Sequence, residues 1–193
     1  MIKPVFHHIN LKTTRLQEMI DWYGQVAGME VSHQAPVGAW LTNDAANHRI
    51  ALLALPGYSD DPAKESHTGI HHTAFEFATF AELLDSYARL RELGIAPQFC
   101  LDHGLTTSMY YLDPDRNHVE LQADNFGDWE KSKDYMRTSP EFAANPIGAY
   151  FNPERVLAAH RAGTPFVDIH HDMMAGKYLP DTIPDLGPPP PKP

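Results

Sequence analysis

Two segments of this chain carry the same order of predicted secondary structure, and the second segment begins about 64 residues after the first. The first opens with the alternating run VFHHINLKT, continues with a helix that Thr13 or Thr14 caps and Gly28 ends, and closes with MEVSH, AWLT and HRIALLAL. The second opens with IHHTAFEF, continues with a helix between Thr79 and Gly94, and closes with PQFCL, TSMYYL and HVELQ. The order βαβββ occurs twice, which predicts an α+β fold made of two tandem modules that form a cupped mixed sheet.

Changes in composition divide the chain further. The parts are a first module at 1–57, a polar linker at 58–69, a second module at 70–125 and a C-terminal extension at 126–193. In the extension, Asn152 followed by Pro153 predicts the start of a helix that ends near Gly163. The final residues, DLGPPPPKP, predict a polyproline-like tail. The run DIHHDMM contains two histidines, but its spacing matches no metal site that we can support.

Composition argues against several classes of partner. The 193 residues are 42% hydrophobic, which is enough for a sizeable core, and the formal net charge of −10 disfavours nucleic acid and anionic membranes. No apolar run approaches the roughly 18 residues of a spanning helix, and the N-terminus lacks a signal-peptide pattern. The single cysteine, Cys100, suits a reducing compartment. We therefore expect a cytoplasmic protein with no nucleic-acid or membrane partner.

Three residues on predicted strands are candidates for metal ligands. The residues that alternate with His8, His72 and Glu120 along their strands are largely apolar. Because side chains alternate along a strand, these apolar residues are predicted to pack inward and the three candidates to share the open face. Two imidazoles and one carboxylate leave half of a metal's coordination sphere free, which is typical of non-haem iron(II) sites. A lone histidine in such a position is more often structural, but equivalent places in two modules favour a metal site. His7 and His71 are predicted to lie on the helix side, as core or supporting groups.

A longer motif precedes the last of these ligands. The stretch His103-Gly-Leu-Thr-Thr-Ser-Met-Tyr110-Tyr-Leu-Asp-Pro-Asp-Arg116-Asn-His-Val-Glu120 resembles the signature of the type I extradiol ring-cleavage dioxygenases, within the vicinal oxygen chelate superfamily. The resemblance covers about residues 1–125. Arg116 departs from the pattern, because the family usually has glycine or proline at this turn position. The stretch NHRIALLA is similar to the family's strand that carries a distal-pocket histidine, a role that maps onto His48.

The resemblance implies a small one-domain enzyme that cleaves the ring of a catechol-type diol with dioxygen, as a homo-oligomer. It implies Fe(2+) held by His8, His72 and Glu120, and Mn(2+) suits the same ligands. Its catalytic residues would be His48, His103 and Tyr110. Tyr110 would reach a phenolate oxygen of the diol, His103 would hydrogen-bond the substrate, and His48 would act as acid and base beside dioxygen. The next residue, Tyr111, is predicted to face the other way and to pack in the core.

Other functions remain open at this point. Fosfomycin-type transferases share the two-histidine, one-glutamate pattern, usually with manganese, although the presence of both His103 and Tyr110 favours the dioxygenase. A ligand-binding protein of the same fold is a further alternative, and such members generally lack the metal ligands. A glyoxalase I activity is weakened because the last strand of the first module, IALLAL, offers no carboxylate.

Overall fold

The computed structural model describes residues 1–183, and the predicted polyproline tail DLGPPPPKP lies outside them. The strands are β1 (Ile9–Lys12), β2 (Glu30–Ala35), β3 (Gly38–Thr42), β4 (Ile50–Leu53), β5 (His72–Phe77), β6 (Phe99–Asp102), β7 (Thr106–Leu112), β8 (His118–Asp124) and β9 (Ala149–Tyr150). The helices are α1 (Leu16–Ala27), α2 (Phe80–Glu92), α3 (Trp129–Thr138), α4 (Pro140–Ala144), α5 (Pro153–Arg161) and α6 (Phe166–Met174). A 3-10 turn spans Lys64–Ser66 within the predicted linker. The order βαβββ occurs twice, and the predicted α+β class is confirmed.

Each module forms its own sheet, and the module strands follow the same order in both sheets. In the first sheet the order is β1-β4-β3-β2, with β1 and β4 parallel and the other pairs antiparallel. In the second sheet the order is β5-β8-β7-β6-β9. The first strand of each module therefore lies beside the fourth strand of the same module. β1 is next to β4, and β5 is next to β8.

The ends of the module helices α1 and α2 carry the expected capping residues, except at the start of α1. Thr79 and Glu82 form a capping box at the start of α2, and Gly28 closes α1 in the left-handed conformation at φ 63°. Neither Thr13 nor Thr14 caps α1, which corrects the prediction. The N-cap is Arg15, whose backbone N–H donates to Thr13 Oγ1 at 2.8 Å. The Thr14 hydroxyl instead donates to Asp60 at 2.9 Å, outside the helix.

The turn between β7 and β8 forms although Arg116 departs from the family pattern. Arg116 adopts a positive φ of 63°, a conformation that costs a residue with a Cβ about 1–2 kcal/mol. The buried Asp113 side chain offsets this cost, because it accepts hydrogen bonds from the backbone N–H groups of Asp115 and Asn117, at 3.0 and 2.8 Å. The Arg116 N–H also donates to the Asp113 carbonyl at 2.8 Å. The hairpin geometry therefore does not depend on glycine.

The extension contains more regular structure than its sequence predicts. Asn152 caps α5 as predicted, by accepting from the N–H groups of Glu154 and Arg155, and the helix ends just before Gly163. Sequence analysis missed the strand β9 and the helices α3, α4 and α6. Strand β9 pairs antiparallel with β6, so the extension completes the second sheet.

The chain divides into two compact units. The first unit contains residues 1–73 and 112–119, and the second contains 74–111 and the residues from 120 onward. The predicted boundaries at 1–57, 58–69, 70–125 and 126–193 stay a prediction. Within residues 1–183, every helix is too short or too polar to cross a lipid bilayer.

Candidate active site

A group of three imidazoles lies in the first unit. Because β1 and β4 are parallel neighbours with Ile9 opposite Ile50, the residues that precede the two strands lie side by side. The ring centroids of His8 and His48 are 4.4 Å apart, and the ligand nitrogens of His7, His8 and His48 all lie within 4.8 Å of one another. The structure thus brings the predicted ligand His8 next to the predicted acid and base His48.

His7 does not lie on the helix side, which corrects the prediction for this residue. It is exposed, and its Nδ1 is 3.0 Å from Nδ1 of His8. The same correction holds for Val5, which strand alternation would place on the same face as His7 and which is 89% exposed. The reason is that β1 begins only at Ile9, so the alternation of faces in a strand does not govern the residues before it.

The surroundings of His48 favour its neutral form. Partial burial lowers its pKa from the ordinary value of 6.5, and the neighbouring His8 and His7 lower the pKa further. A neutral imidazole has a free nitrogen that can accept a proton, which the predicted role of His48 requires.

A second pair of adjacent histidines lies at the start of β5, also in the first unit. His72 is half-buried, and its Nδ1 is 2.8 Å from Nδ1 of His71. His71 is exposed, not packed in a core, and its ring stacks on His118 with centroids 5.3 Å apart. Burial lowers the pKa of His118, and His71 lowers it further, so His118 carries less positive charge near neutral pH than a free histidine.

A chain of three functional side chains lies in the second unit. Tyr110 on β7 donates its hydroxyl hydrogen to Glu120 Oε1 on β8 at 2.8 Å. His103 Nε2 lies 2.9 Å from the same hydroxyl oxygen. Because the carboxylate can only accept, the Tyr110 hydrogen is committed to Glu120, and His103 Nε2 must be the donor to the Tyr110 oxygen. Both predicted second-module residues, His103 and Tyr110, are therefore connected to the predicted ligand Glu120.

Glu120 is buried, which corrects the expectation that it faces an open surface. Only 5% of Glu120 and 4% of Tyr110 are exposed. Burial raises the pKa of Tyr110, and the Glu120 carboxylate raises it further, so Tyr110 remains a phenol at neutral pH. A buried carboxylate requires a compensating donor, and the Tyr110 hydroxyl supplies one. Tyr111 is 1% exposed, as its predicted role in the core requires.

The structure places the candidate residues in two groups. His8 and His48 lie together in the first unit, with His72 at the start of β5, while His103, Tyr110 and Glu120 lie together in the second. The complete ligand set of His8, His72 and Glu120 stays a prediction.

Sequence analysis missed a buried carboxylate next to His103. Asp102, the last residue of β6, is fully buried, and its Oδ2 accepts a hydrogen bond from His170 Nδ1 at 2.6 Å. His170 belongs to the run DIHHDMM, which forms part of α6. The helical spacing of the apolar residues Phe166, Ile169 and Met173 was the available signal that this run is a packed helix.

Comparisons with known proteins agree with this fold. The family model of the glyoxalase/bleomycin resistance protein/dioxygenase superfamily matches residues 5–121. A solved structure of a glyoxalase/bleomycin resistance protein/dioxygenase domain from Frankia sp. EAN1pec has a TM-score of 0.53 at 17% identity, covering 64% of this chain and 99% of that one. At this identity the likeness speaks for the fold alone.

Two curated relatives match over most of the chain, including much of the extension. Biphenyl-2,3-diol 1,2-dioxygenase 3 of Rhodococcus globerulus is 42% identical over 164 residues, which are 85% of this chain and 86% of the relative. Biphenyl-2,3-diol 1,2-dioxygenase 2 of the same organism is 40% identical over 178 residues, which are 92% of this chain and 93% of the relative.

Proposed function

The chain belongs to the glyoxalase/bleomycin resistance protein/dioxygenase superfamily, and we propose that it opens the ring of an aryl-substituted catechol, such as a biphenyl-2,3-diol, with dioxygen at iron(II). Its reaction class is that of the extradiol ring-cleaving dioxygenases, oxidoreductases that consume a diol and dioxygen. The observation that carries the proposal is the 40–42% identity to two such enzymes over most of both chains. We further propose that the protein is cytoplasmic and forms a homo-oligomer.

The superfamily implies a divalent metal, and the candidate residues suit one. We propose that His8, His72 and Glu120 hold iron(II). Imidazole nitrogens and a carboxylate oxygen are the donors that this ion takes in non-haem sites, and the same set accommodates manganese(II). When bound, the ion would act as a Lewis acid toward the diol and as a redox centre for dioxygen.

Tyr110 contacts the proposed metal ligand Glu120, and we propose that it also contacts a substrate oxygen. Its hydroxyl donates to Glu120, which orients the carboxylate that we assign to the metal. Since its raised pKa keeps the hydroxyl protonated, Tyr110 acts as a hydrogen-bond donor and not as a base. We propose that, once the diol is bound, this hydrogen is donated to the diol oxygen instead of to Glu120 and stabilises negative charge there.

His103 has a suitable hydrogen for the same task. Its Nε2–H points at the Tyr110 oxygen in the absence of substrate, 2.9 Å away. A catechol oxygen that enters beside Tyr110 offers an alternative acceptor for this hydrogen. We therefore propose that His103 turns this hydrogen to the catechol oxygen and so binds the substrate.

His48 is the group that we propose to move protons on the dioxygen side. Partial burial lowers its pKa, and the neighbouring His8 and His7 lower it further, which favours the neutral imidazole that is able to take a proton. A general acid and base works best when its pKa lies near the pH of operation, which histidine provides.

The test is turnover of diols by protein reconstituted anaerobically with iron(II). We expect oxygen uptake and a yellow ring-opened product with a biphenyl-2,3-diol, and weaker activity with unsubstituted catechol. Glu120→Ala should abolish both, whereas Glu76→Gln, a change at an exposed carboxylate that accepts from Trp129, should leave them intact. Absence of oxygen uptake with every diol, with metal still bound, would refute the dioxygenase and favour a transferase.

A further inference from the structure

We propose that His170 of the C-terminal extension is a positioning residue for His103, acting through the buried carboxylate of Asp102. The inference rests on the proposed role of His103 at the diol. It assigns a function to helix α6, which lies beyond residues 5–121 that the family model matches.

Asp102 is the residue before His103, and its carboxylate binds the residue after it, Gly104. Its Oδ1 accepts hydrogen bonds from the Gly104 N–H at 2.8 Å and from the Asn125 side-chain amide at 3.1 Å. The same amide donates to the Gly104 carbonyl at 3.1 Å, so Gly104 is held through both of its backbone polar groups. His103 therefore lies between Asp102 and Gly104, and the Asp102 carboxylate holds Gly104 in place.

Further contacts restrain the loop that carries His103, in addition to the hydrogen bonds of Asp102. The His103 N–H donates to the Thr106 carbonyl at 2.8 Å, which closes a tight turn between β6 and β7. Gly104 adopts φ 84°, and a Cβ at this position would lie 2.7 Å from the Tyr135 hydroxyl. The position of the His103 ring is thus set by a short, closely packed segment that the Asp102 carboxylate supports.

His170 supplies a hydrogen bond to that buried carboxylate. The side chain of Asp102 is 0% exposed, and a buried ionised carboxylate is costly unless it is paired and hydrogen-bonded. His170 Nδ1 supplies the bond to Oδ2 at 2.6 Å, from a ring that is 29% exposed and stacked on Phe166. Buried Ile169 and Met173 anchor the helix that carries it.

The extension also approaches Asp102 through its backbone. Strand β9 pairs Ala149 with Asp102, and Gly148 comes so close that a Cβ there would lie 1.9 Å from the Asp102 carbonyl oxygen. Two separate parts of the extension therefore converge on the residue before His103. Loss of the His170 imidazole leaves Oδ2 buried without this donor, and the carboxylate must turn, take a proton or admit water. Each of these changes moves Gly104 and shifts the His103 ring away from Tyr110.

The experiment compares His170→Ala with His171→Ala in iron-loaded enzyme acting on a biphenyl-2,3-diol. The His171 side chain is 77% exposed and adjoins His170 in the same helix, which makes it a matched control. We expect kcat to fall roughly tenfold in His170→Ala, as outer-shell changes commonly cause, and to stay within about twofold in His171→Ala. His170→Asn, which can place an amide N–H near the Nδ1 position, should recover most of the loss.

A double-mutant cycle separates positioning from general loss of structure. In a His103→Ala background, His170→Ala should lower kcat by less than about twofold, because the residue that it positions is gone. An undiminished tenfold loss in that background would overturn the inference. If His170→Ala does not fold, the same cycle with His170→Gln decides the matter, because glutamine moves the donor without emptying the site.

Metal-free protein provides a readout that does not depend on turnover. In long-range 1H–15N spectra of the imidazoles, His103 of the wild type should show a hydrogen on Nε2, and His170→Ala should shift or broaden that resonance whereas His171→Ala should not. An unchanged His103 resonance in His170→Ala would refute positioning. If His103→Ala itself retains full activity, the proposed role of His103 fails; if only His170→Ala does, this inference alone fails.

Discussion

The fourth strands of the two modules are alike in packing and different in chemistry. In β4, Ala51 lies between the buried residues Ile50 and Leu52, and in β8, Glu120 lies between the buried residues Val119 and Leu121. The flanking apolar side chains serve the core in both modules. The central position is a methyl group in one and a carboxylate in the other, so only the second module offers an oxygen donor at this position.

The third strands of the two modules, β3 and β7, differ at the residues that lie next to these central positions. Trp40 on β3 is the cross-strand partner of Ala51, whereas Tyr110 on β7 donates its hydroxyl hydrogen to Glu120. An indole opposite alanine forms a packing contact, while a phenol opposite a carboxylate forms a polar pair that holds the carboxylate in place. The comparison teaches that the first module supplies only imidazoles to the proposed site, whereas the second supplies imidazoles together with a carboxylate and its hydrogen-bond donor.

The largest effect is expected at the paired histidines that open each module. We predict that His8→Ala and His72→Ala each lower kcat by on the order of 1000-fold and reduce bound iron, because each removes a proposed ligand. Their neighbours provide the controls, and His7→Ala and His71→Ala should stay within about threefold. Oxygen uptake and iron analysis on all four variants decide this. Loss of iron in His7→Ala with retention in His72→Ala would instead assign the metal to the three imidazoles of the first unit.

An intermediate effect is expected at the tyrosine pair of β7. Tyr110→Phe removes the hydrogen bond to Glu120 and the proposed donor to the diol, and we expect kcat to fall about 100-fold. Tyr111→Phe removes a hydroxyl whose partner is the Met109 sulfur at 3.8 Å, and it should change kcat less than about twofold. Steady-state rates with a biphenyl-2,3-diol measure both. Equal losses in the two variants would mean that the strand, not the Tyr110 hydroxyl, is what matters.

The smallest effect concerns stability, at equivalent tyrosines on the two module helices. Tyr23 on α1 donates to the buried Asp113 at 3.1 Å, and Tyr87 on α2 donates to Glu154 at 2.6 Å. Burial raises the pKa of Asp113 from its ordinary value of 3.8. Hydrogen bonds from Arg91 first and Tyr87 second lower the pKa of Glu154 from its ordinary value of 4.5. The same tyrosine contact thus accompanies opposite shifts.

Opposite shifts give opposite pH dependence of the unfolding free energy. A raised pKa in the folded state means that the contribution of Asp113 is complete below about pH 3.8 and is lost as pH rises through the folded-state pKa. A lowered pKa means that the contribution of Glu154 is complete above about pH 4.5 and is lost as pH falls. Because the Glu154 side chain is 51% exposed, its effect should stay below about 1 kcal/mol.

Urea unfolding at several pH values checks this pair of signs. The stability advantage of the wild type over Asp113→Asn should shrink as pH rises from acid toward neutral, and its advantage over Glu154→Gln should grow over the same range. Slopes of the same sign for both variants would contradict the assignment of burial as the cause at Asp113 and of ion pairing as the cause at Glu154.

Local patterns in the sequence were enough to predict the repeated order of elements. The helix starts at Thr79 and Asn152 and the helix end at Gly28 each depend on residues within one turn of the chain, and all three predictions are confirmed. The superfamily and the dioxygenase class could be predicted because the signature from His103 to Glu120 is contiguous. The relatives confirm both predictions.

What the sequence did not predict depends on residues that are distant along the chain. The pairing of Asp102 with His170 joins positions 68 residues apart, and neither residue has a local pattern that indicates the other. The burial of Glu120 depends on packing around the sheet, which alternation along one strand cannot express. The exposure of His7 depends on where β1 begins, and strand ends are the least certain part of a pattern.

The short strand β9 also has a consequence for the behaviour of the protein in solution. Its two residues, Ala149 and Tyr150, cover the backbone of Asp102 and Leu101, and the next N–H, of Phe151, donates to the Cys100 carbonyl at 3.2 Å. Without them, β6 would be an exposed edge of the second sheet, built from four buried residues. Bare apolar edges template pairing with other chains. We therefore expect a chain shortened to the two modules to aggregate through this uncovered edge.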